Sequence, residues 1–224
     1  MSATDDEIPS DGPRWREQAV SRRLVSARAR AEERVQRFLD AALGLMNDKR
    51  STDFTIQEVV ERSGQSLRSF YQYFDGKDEL LFALFEESVR ESLVDITAAV
   101  EEETEPLARL RVYVVRLHAW CAPDDDAPRG EYNRVPITEF SWNLAMKNPE
   151  RVGSVMGPLS RMLVELLEAA TAAGAISVDD TARSAALVQQ TVMHSWLLTR
   201  VVDSPRLRSS ADQTWEFCFK GLQG

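Results

Sequence analysis

Residues 55–77, TIQEVVERSGQSLRSFYQYFDGK, decide the fold of this chain because they predict two short helices separated by a glycine. Thr55 is a preferred N-cap residue, and Glu58 three positions later completes a capping box, so the first helix begins at this point. Gly64 favours a left-handed C-cap, and Ser66 can cap a second helix. The chain therefore turns sharply between two helices, as in a helix-turn-helix.

Four aromatic residues crowd the second helix, and a period of 3.6 residues does not allow all of them to face inward. Phe70 and Phe74 are four apart and are predicted to anchor the helix in the core. The residues predicted to point away are Leu67, Arg68, Ser69, Gln72 and Tyr73. The alternative is an ordinary helical hairpin with every aromatic ring in the core. An outward polar face of this kind suits the major groove of DNA.

Residues 63–80, SGQSLRSFYQYFDGKDEL, resemble the helix-turn-helix signature of the tetracycline-repressor (TetR) family of one-component regulators. The likeness covers roughly residues 34 to 85. It implies phosphate contacts from Thr55, Tyr71, Tyr73 and Lys77, and base contacts from Leu67, Arg68, Gln57 and Ser69. Ser66 and Gln72 belong to the same motif and complete the predicted DNA-binding set. Gln65 stands where the family usually has a small apolar residue under the turn, so it is predicted either to pack there or to reach DNA.

The charge is distributed unevenly along the chain. The whole sequence carries a net charge of -9, but residues 14–77 hold 13 Lys/Arg against 9 Asp/Glu, and residues 78–224 hold 14 against 23. Phosphate affinity depends on the local cationic surface, so an acidic C-terminal part is compatible with DNA binding.

The segment before the motif is predicted to be a disordered or basic N-terminal arm, residues 1–27. Its first 13 residues are acidic and contain two prolines, and an arginine-rich stretch follows. That stretch is either a solvated helix face or an arm that contacts DNA phosphates or the minor groove. Apolar spacing predicts a supporting first helix from Glu32 to Lys49.

The predicted fold is all-α with about nine helices, because no alternating β pattern occurs. A three-helix DNA-binding domain, residues 28–78, precedes a larger helical ligand-binding and dimerisation domain, residues 79–224. A long helix after Lys77 would join the two. Later helices are predicted at about 106–121, 137–146, 149–173, 180–202 and 210–222.

The C-terminal part is rich in tryptophan, methionine and phenylalanine, which is typical of an apolar ligand pocket but also of a plain helical core. The candidate ligand-binding residues are Arg116, His118, Trp120, Phe140, Trp142, Asn143, Met146, Met193 and Trp196. The alternative for His118 is a hydrogen-bonded core or interface histidine. The resemblance implies that the last two helices form a dimer interface through Leu187, Val188, Val192, Trp215 and Phe219.

The predicted function is a TetR-like regulator, a repressor, that binds a near-palindromic DNA operator as a homodimer and is released by an apolar or amphipathic small molecule. One alternative is a DNA-binding protein of the same fold that takes no small molecule. The other is a helical enzyme, which the sequence disfavours because it has no metal, nucleophile or nucleotide-loop motif.

Cys121 and Cys218 are far apart and indicate neither a disulfide framework nor a zinc site, so no metal or cofactor is predicted. The first residues are acidic and no apolar run approaches a membrane span, so the predicted location is the cytoplasm, with no membrane partner.

Overall fold

The computed structural model describes residues 14–49, 51–121, 137–195 and 209–223. Within these ranges the chain forms nine α-helices and no strand, which confirms the predicted all-α class. The helices are α1 (Arg14–Lys49), α2 (Ile56–Ser63), α3 (Leu67–Phe70), α4 (Lys77–Glu101), α5 (Pro106–Cys121), α6 (Ile137–Lys147), α7 (Pro149–Ala172), α8 (Thr181–His194) and α9 (Ala211–Gly221).

The N-terminal head consists of α1 to α3 and the start of α4, packed around aromatic rings. Phe38 of α1 is fully buried, and its ring lies edge-on to Phe70 at 5.4 Å and to Phe74 at 6.1 Å between centroids. Val59 of α2 is also fully buried. Edge-to-face pairs of this kind add stability beyond the area that they bury. The short helix α3 is therefore held against α1 by two phenyl rings.

The helix α4 joins the head to the rest of the chain. Its 25 residues span about 37 Å at the helical rise of 1.5 Å per residue. Leu80 and Leu84 near its start and Ile96 and Val100 near its end are buried, and the helix packs against α1, α5, α6 and α7. One rigid element is thus in contact with both parts of the molecule.

The C-terminal body, α5 to α9, is arranged around α5. Leu110, Tyr113 and Leu117 of this helix are fully buried, and α5 packs against α4, α7, α8 and α9. The Tyr113 hydroxyl donates a hydrogen bond to the Leu159 carbonyl at 3.0 Å. Burial raises the pKa of Tyr113, so the phenol keeps the proton that it donates.

The first helix is longer than the sequence pattern predicts, since α1 begins at Arg14 and not at Glu32. Apolar periodicity detects only a buried face, and every side chain from 21 to 30 is exposed. Arginine and alanine are strong helix formers, and extending an existing helix avoids the cost of nucleation. Residues 14–27 are therefore helical, and the predicted boundary at residue 28 falls inside α1.

Two further sequence predictions concern residues 1–13 and the boundary between the domains. Residues 1–13, predicted to be disordered, lie outside the described residues. The predicted boundary at residue 79 falls in the first turn of α4. The division of the chain into domains stays a prediction.

Candidate functional site

The turn between α2 and α3 is fixed by side-chain and backbone caps. The Glu58 amide donates to Thr55 Oγ1 at 3.2 Å, and the Thr55 amide donates to Glu58 Oε2 at 2.8 Å, which is the predicted capping box. Gly64 has a φ of 65° and ends α2 in the left-handed region. The Ser69 amide donates to Ser66 Oγ at 3.1 Å. These contacts confirm the predicted bounds of α2 and the predicted start of α3. The second helix is shorter than predicted, because it ends at Phe70 and leaves Tyr71, Tyr73 and Phe74 in the segment after it.

The same capping box is tied to α1 by an ion pair. Lys49 Nζ lies 2.7 Å from Glu58 Oε1. The Lys49 ammonium and the Thr55 hydrogen bonds hold the pKa of the Glu58 carboxyl at about 2. Glu58 therefore stays charged at neutral pH and joins the end of α1 to the start of α2.

The short helix α3 and the turn after it, residues 71–74, divide their aromatic residues between the core and the surface. Phe70 and Phe74 are buried, whereas Tyr71 is 55% exposed. Leu67, Arg68 and Gln72 are also exposed. The prediction that the aromatic cluster could not be entirely internal is confirmed, and α3 presents a face with hydroxyl, guanidinium and amide groups.

Three predicted contact residues lie at the margin of that face. Tyr73 is half-buried and packs against the core, and Ser69 is half-buried. Lys77 is the first residue of α4, and its ammonium lies 4.6 Å from the centroid of the Phe54 ring. A cation over an aromatic face is held in place, so Lys77 has a defined position beside α3.

Two glutamines of the predicted DNA-binding set, Gln57 within α2 and Gln65 just after it, have partners within the protein. Gln65 donates from Nε2 to the Arg34 carbonyl at 2.8 Å, and its Oε1 accepts from Ser69 Oγ at 3.4 Å. Gln65 thus links α1 to the beginning of α3 in the place where the family usually has a small apolar residue. Gln57 is exposed, and its amide donates to Glu61 Oε1 at 3.0 Å along α2.

Charged residues connect the body to the first turns of α4, a group that we call the α4 joint (Asp78, Glu79, Glu86, Lys147 and Arg151). Arg151 forms two hydrogen bonds of 2.8 Å to the Glu79 carboxylate. Its guanidinium also lies 3.7 Å from Glu86 Oε1, and Lys147 Nζ lies 2.5 Å from Asp78 Oδ2. The hydrogen bonds from Arg151 lower the pKa of Glu79.

The α4 joint was not predicted from the sequence, because its partners are 69 and 72 residues apart along the chain. The guanidinium of Arg151 also lies 3.6 Å from the centroid of the Phe82 ring. A charge over a buried ring and a bidentate carboxylate contact fix the geometry of the arginine. Asp78 and Glu79 of the joint directly follow Lys77 in the chain.

The predicted ligand-binding residues of α5 point in different directions. Arg116 is exposed and lies 3.7 Å from Asp95 on the surface. His118 is buried with a hydrogen bond to the Ser209 backbone, and burial lowers its pKa. This geometry is that of the hydrogen-bonded core histidine weighed as the alternative. Trp120 is half-buried, and its indole N–H donates to Ser88 Oγ at 3.1 Å.

The structure does not bring the other ligand-binding candidates into one described cluster. Asn143 is exposed on α6, and Met146 is 71% exposed on the same helix. Met193 is half-buried and packs against the core. The side chains of Phe140 and Trp142 and the whole of Trp196 lie outside the described residues.

The predicted interface residues of α8 and α9 are partly internal. Val188 and Val192 are buried within the chain itself, so they are not free to contact a second copy. Leu187 is 59% exposed. Trp215 is buried and stacks on the half-buried Phe219 ring, with 5.4 Å between centroids.

Phe217 was missed by the sequence reasoning, although it is 69% exposed on α9. The helical spacing could have indicated this exposure. Trp215, Cys218 and Leu222 share one buried face of the helix, and residue 217 lies off that face. Two helices that pack together, α8 and α9, thus each present a large apolar side chain to solvent.

The cysteines are buried and unpaired. Burial raises the pKa of the Cys121 thiol to about 12 and that of Cys218 to about 11, so neither is a thiolate at neutral pH. In the part of the chain that the structure covers, no group of three or more His, Cys, Asp or Glu residues is placed to share a metal ion. None of the described helices is long and apolar enough to cross a bilayer.

Comparison with known proteins agrees with the geometry of the head. Residues 38–84 match the model of the family described as bacterial regulatory proteins, tetR family. These residues, the helix-turn-helix head, are similar to the DNA-binding part of that family. The match contains the capped turn, the two anchoring phenyl rings and the exposed face of α3. The family that this model describes is one of regulatory proteins.

One similar relative is the HTH-type transcriptional regulator BetI of Brucella canis. It is 28% identical over 81 residues, which are 36% of this chain and 41% of the relative. The chain thus spans about two fifths of the length of the curated relatives that it matches. This likeness concerns a part of the protein and not the whole of it.

Two solved structures share the fold over most of the chain. The fatty acid degradation regulator FadR of Bacillus halodurans has a TM-score of 0.63 at 16% identity, covering 85% of this chain and 94% of that one. The FadR of Bacillus subtilis, in complex with stearoyl-CoA, has a TM-score of 0.65 at 12% identity, covering 84% and 97%. At these identities the likeness shows the fold alone.

Proposed function

We propose that this protein is a TetR-family one-component transcriptional repressor that binds a near-palindromic operator as a homodimer and is released by an apolar or amphipathic small molecule. The observation that carries the proposal is the division of α3: Phe70 and Phe74 fix the helix in the core, while Leu67, Arg68 and Tyr71 face solvent. A short helix with an exposed polar face is the element that enters the major groove in helix-turn-helix proteins.

The proposed contacts fall into two classes. Tyr71, Tyr73, Thr55 and Lys77 would hold phosphates, because hydroxyl and ammonium groups donate to phosphate oxygens without reading sequence. Arg68 would read a base edge, since a guanidinium pairs bidentately with guanine, and Leu67 would supply an apolar contact. The remaining proposed contacts are Gln57, Ser66, Ser69 and Gln72. Gln65 acts indirectly, because both ends of its amide are bonded within the head.

The proposed dimer interface is formed by α8 and α9. Leu187 and Phe217 are exposed on these two packed helices, and Phe219 is half-buried beside them. Large apolar side chains exposed together are typical of a surface that a partner covers. A twofold dimer would place two copies of α3 about 34 to 36 Å apart, or a multiple of that distance, on successive turns of the duplex.

The dimer is tested by sedimentation of Leu187→Asp and Phe217→Asp variants, with Met146→Asp as a matched control at another exposed apolar side chain. The first two are expected to be monomeric at concentrations where the control is dimeric. Dimers of all three at the same concentrations would refute the interface.

The proposed effector site lies in the body. Trp120 and Met193 are half-buried there, and one protein of the same fold binds stearoyl-CoA, an amphipathic molecule. Effector binding would act through α4, which packs against both the body and α1, and through the α4 joint at its first turns. Couplings between sites of this kind are usually about 1 to 3 kcal/mol.

The function is tested by selecting bound duplexes from a random pool and then titrating the recovered duplex with and without stearoyl-CoA. We expect a near-palindromic site and weaker binding when the acyl-CoA is present, by about 5- to 150-fold. Failure to enrich any site would refute the DNA-binding role. A site that is bound equally well with stearoyl-CoA and with other amphipathic and apolar compounds would instead support a TetR-fold protein without a small-molecule effector.

A further inference from the structure

We propose that the N-terminal extension of α1, residues 14–31, is a second DNA-contacting surface that lies along the phosphates flanking the site read by α3. The inference rests on the proposed function, because it assigns the extension to the edge of an operator. It goes beyond the helix-turn-helix, since the family match begins only at residue 38.

Residues 21–30 of the extension are open to solvent on every side of the helix. All ten side chains from 21 to 30 are exposed, and they include Leu24 and Val25 at 65% and 66% exposure. Most helices in proteins are stabilised by packing one face against a core. A continuous exposed helix projecting from a folded head therefore presents a surface available to another molecule.

The extension carries a strong positive charge. Residues 14–31 contain six arginines and one acidic residue, Glu17. Arg22, Arg23, Arg28 and Arg30 lie in the fully exposed stretch. This charge favours a polyanion and opposes association of two such extensions with each other. Residues 78–224, in contrast, hold 14 basic against 23 acidic residues, so this C-terminal part of the protein would be repelled by DNA.

These arginines form contacts within the helix that do not prevent them from binding DNA phosphates. Arg28 Nε lies 2.7 Å from Glu32 Oε1, and both side chains are well exposed. Arg30 donates to the Ser26 carbonyl at 3.0 Å. Exposed pairs of this type contribute little to stability, so replacing them with contacts to a phosphate costs little free energy.

The position of the extension follows from the contact made by Gln65. Gln65 Nε2 donates to the carbonyl of Arg34, and Gln65 directly precedes Ser66, the N-cap of α3. At its other end α1 is bound through Lys49 to Glu58 at the start of α2. The extension therefore leaves the head next to the beginning of α3.

The length of the extension matches a flanking contact. Its 18 residues span about 27 Å at the helical rise of 1.5 Å per residue. A duplex advances about 3.4 Å per base pair along each strand, so this reach corresponds to about 8 base pairs. Phosphates at that distance lie outside the base pairs that α3 would read, so the extension would contact the DNA beside the recognised site.

The experiment uses the full chain and two duplexes that share one site recovered by selection from a random pool. One duplex ends at the edges of the site, and the other continues for about 10 base pairs, one helical turn, on each side. The test variant changes Arg22, Arg23, Arg28 and Arg30 to Gln, which is as good a helix former as Arg. The matched control changes Arg90, Arg111, Arg161 and Arg183 to Gln, and these four are exposed elsewhere.

On the flanked duplex the test variant is expected to bind roughly tenfold or more weakly than the wild type. The slope of log K against log salt concentration should be shallower by about 0.9 for each phosphate that the variant no longer neutralises. On the short duplex the two proteins should bind alike, and the control should match the wild type on both duplexes.

Three results would overturn the assignment. Equal binding of the flanked duplex by the wild type and the test variant refutes the extension alone and leaves the proposed function intact. An equal loss of affinity in the control variant means that the effect is one of net charge. Selection of no site by the wild-type protein refutes the proposed function, and the extension with it.

Discussion

The head and the body are both built from α-helices, but the hydrogen bonds that cap the short helices of the head are local, whereas several bonds that hold the body together join distant parts of the chain. In the head, Thr55 caps α2 through a residue three positions away, and Ser66 caps α3 in the same way. In the body, Tyr113 is bonded to a carbonyl 46 residues away, and Arg111 is paired with Asp212, 101 residues away. In the head, the capped short helices present a surface that single substitutions can change. In the body, the distant contacts hold the packed helices together.

This difference separates stability from recognition within the head itself. Phe70 and Phe74 hold α3 in place, and the neighbouring residues Arg68 and Tyr71 face solvent. Substitutions on the two faces of the same short helix should therefore affect different measurements. The predictions below test that separation, beginning with the largest expected effect.

Phe70→Ala should lower the free energy of unfolding by about 3 to 5 kcal/mol, because it removes a fully buried ring that packs on Phe38. Tyr71→Ala is the matched control on the exposed face and should cost less, about 1 kcal/mol, because it removes a half-exposed ring that lies edge-on to Phe70 at 5.5 Å. Urea denaturation measures both. Similar losses for the two variants would show that α3 has no distinct buried and exposed faces.

Arg68→Ala should weaken binding to a selected duplex by about 1 to 3 kcal/mol and leave the unfolding midpoint unchanged, since Arg68 is exposed and would read a base. Arg183→Ala removes an exposed arginine of the body and serves as control. Fluorescence anisotropy at a fixed salt concentration gives the affinities. An equal effect of the two substitutions would refute a specific contact by Arg68.

Two tyrosines, one in the head and one in the body, allow the effects on stability and on DNA affinity to be compared. Tyr113→Phe removes a buried hydrogen bond and should cost about 1 kcal/mol of stability with little effect on DNA affinity. Tyr71→Phe removes an exposed hydroxyl, so it should leave stability unchanged and weaken binding to all duplex sequences alike. Thermal unfolding and DNA titration of both variants are compared. Loss of DNA affinity in Tyr113→Phe at a temperature where it is fully folded would contradict the division.

The α4 joint can be measured by a double-mutant cycle of Arg151→Met and Glu79→Gln. The two side chains are more than one third exposed, so solvent screening limits the expected coupling to about 1 kcal/mol or less, decreasing with added salt. The exposed pair Lys220 and Glu216 provides a control cycle with a smaller coupling. A coupling for Arg151 no larger than that of the control would remove the joint from the proposed path between effector and DNA.

The capping box predicts a small dependence of stability on pH. The pKa of Glu58 is lowered from about 4.5 to about 2 in the folded protein, so its contribution is present above about pH 4.5 and is lost as the pH falls through about 2. Glu58→Gln should therefore be less stable than the wild type at neutral pH. The difference in melting temperature should shrink towards pH 2, and a constant difference across that range would contradict the assigned ion pair.

The sequence predicted the head well because its signals are local. Capping residues, a glycine with a positive φ and aromatic residues at helical spacing act within a few positions, and the structure has each of them as predicted. Gln65 is a partial exception, since its bond to the Arg34 carbonyl depends on a residue 31 positions away. The extension of α1 was underestimated for the opposite reason, because an exposed helix leaves no apolar pattern.

The body was predicted only in outline because apolar residues in a helix look alike until their neighbours are known. Val188 and Val192 were predicted at an interface but are buried under the helices of the same chain, and Phe217 was missed although it faces solvent. Arg116 points to the surface and pairs with Asp95. The α4 joint has no sequence signal, since its charges are far apart along the chain.

The central claim is that the exposed face of α3 reads base pairs. Its most direct test compares the binding-site preferences that the wild-type protein and Arg68→Ala select from one random duplex pool. The predicted result is a near-palindromic site for the wild type and relaxed preference at one position of each half-site for the variant, with the other positions retained. Identical preferences for the two proteins, or no enrichment by the wild type, would contradict it.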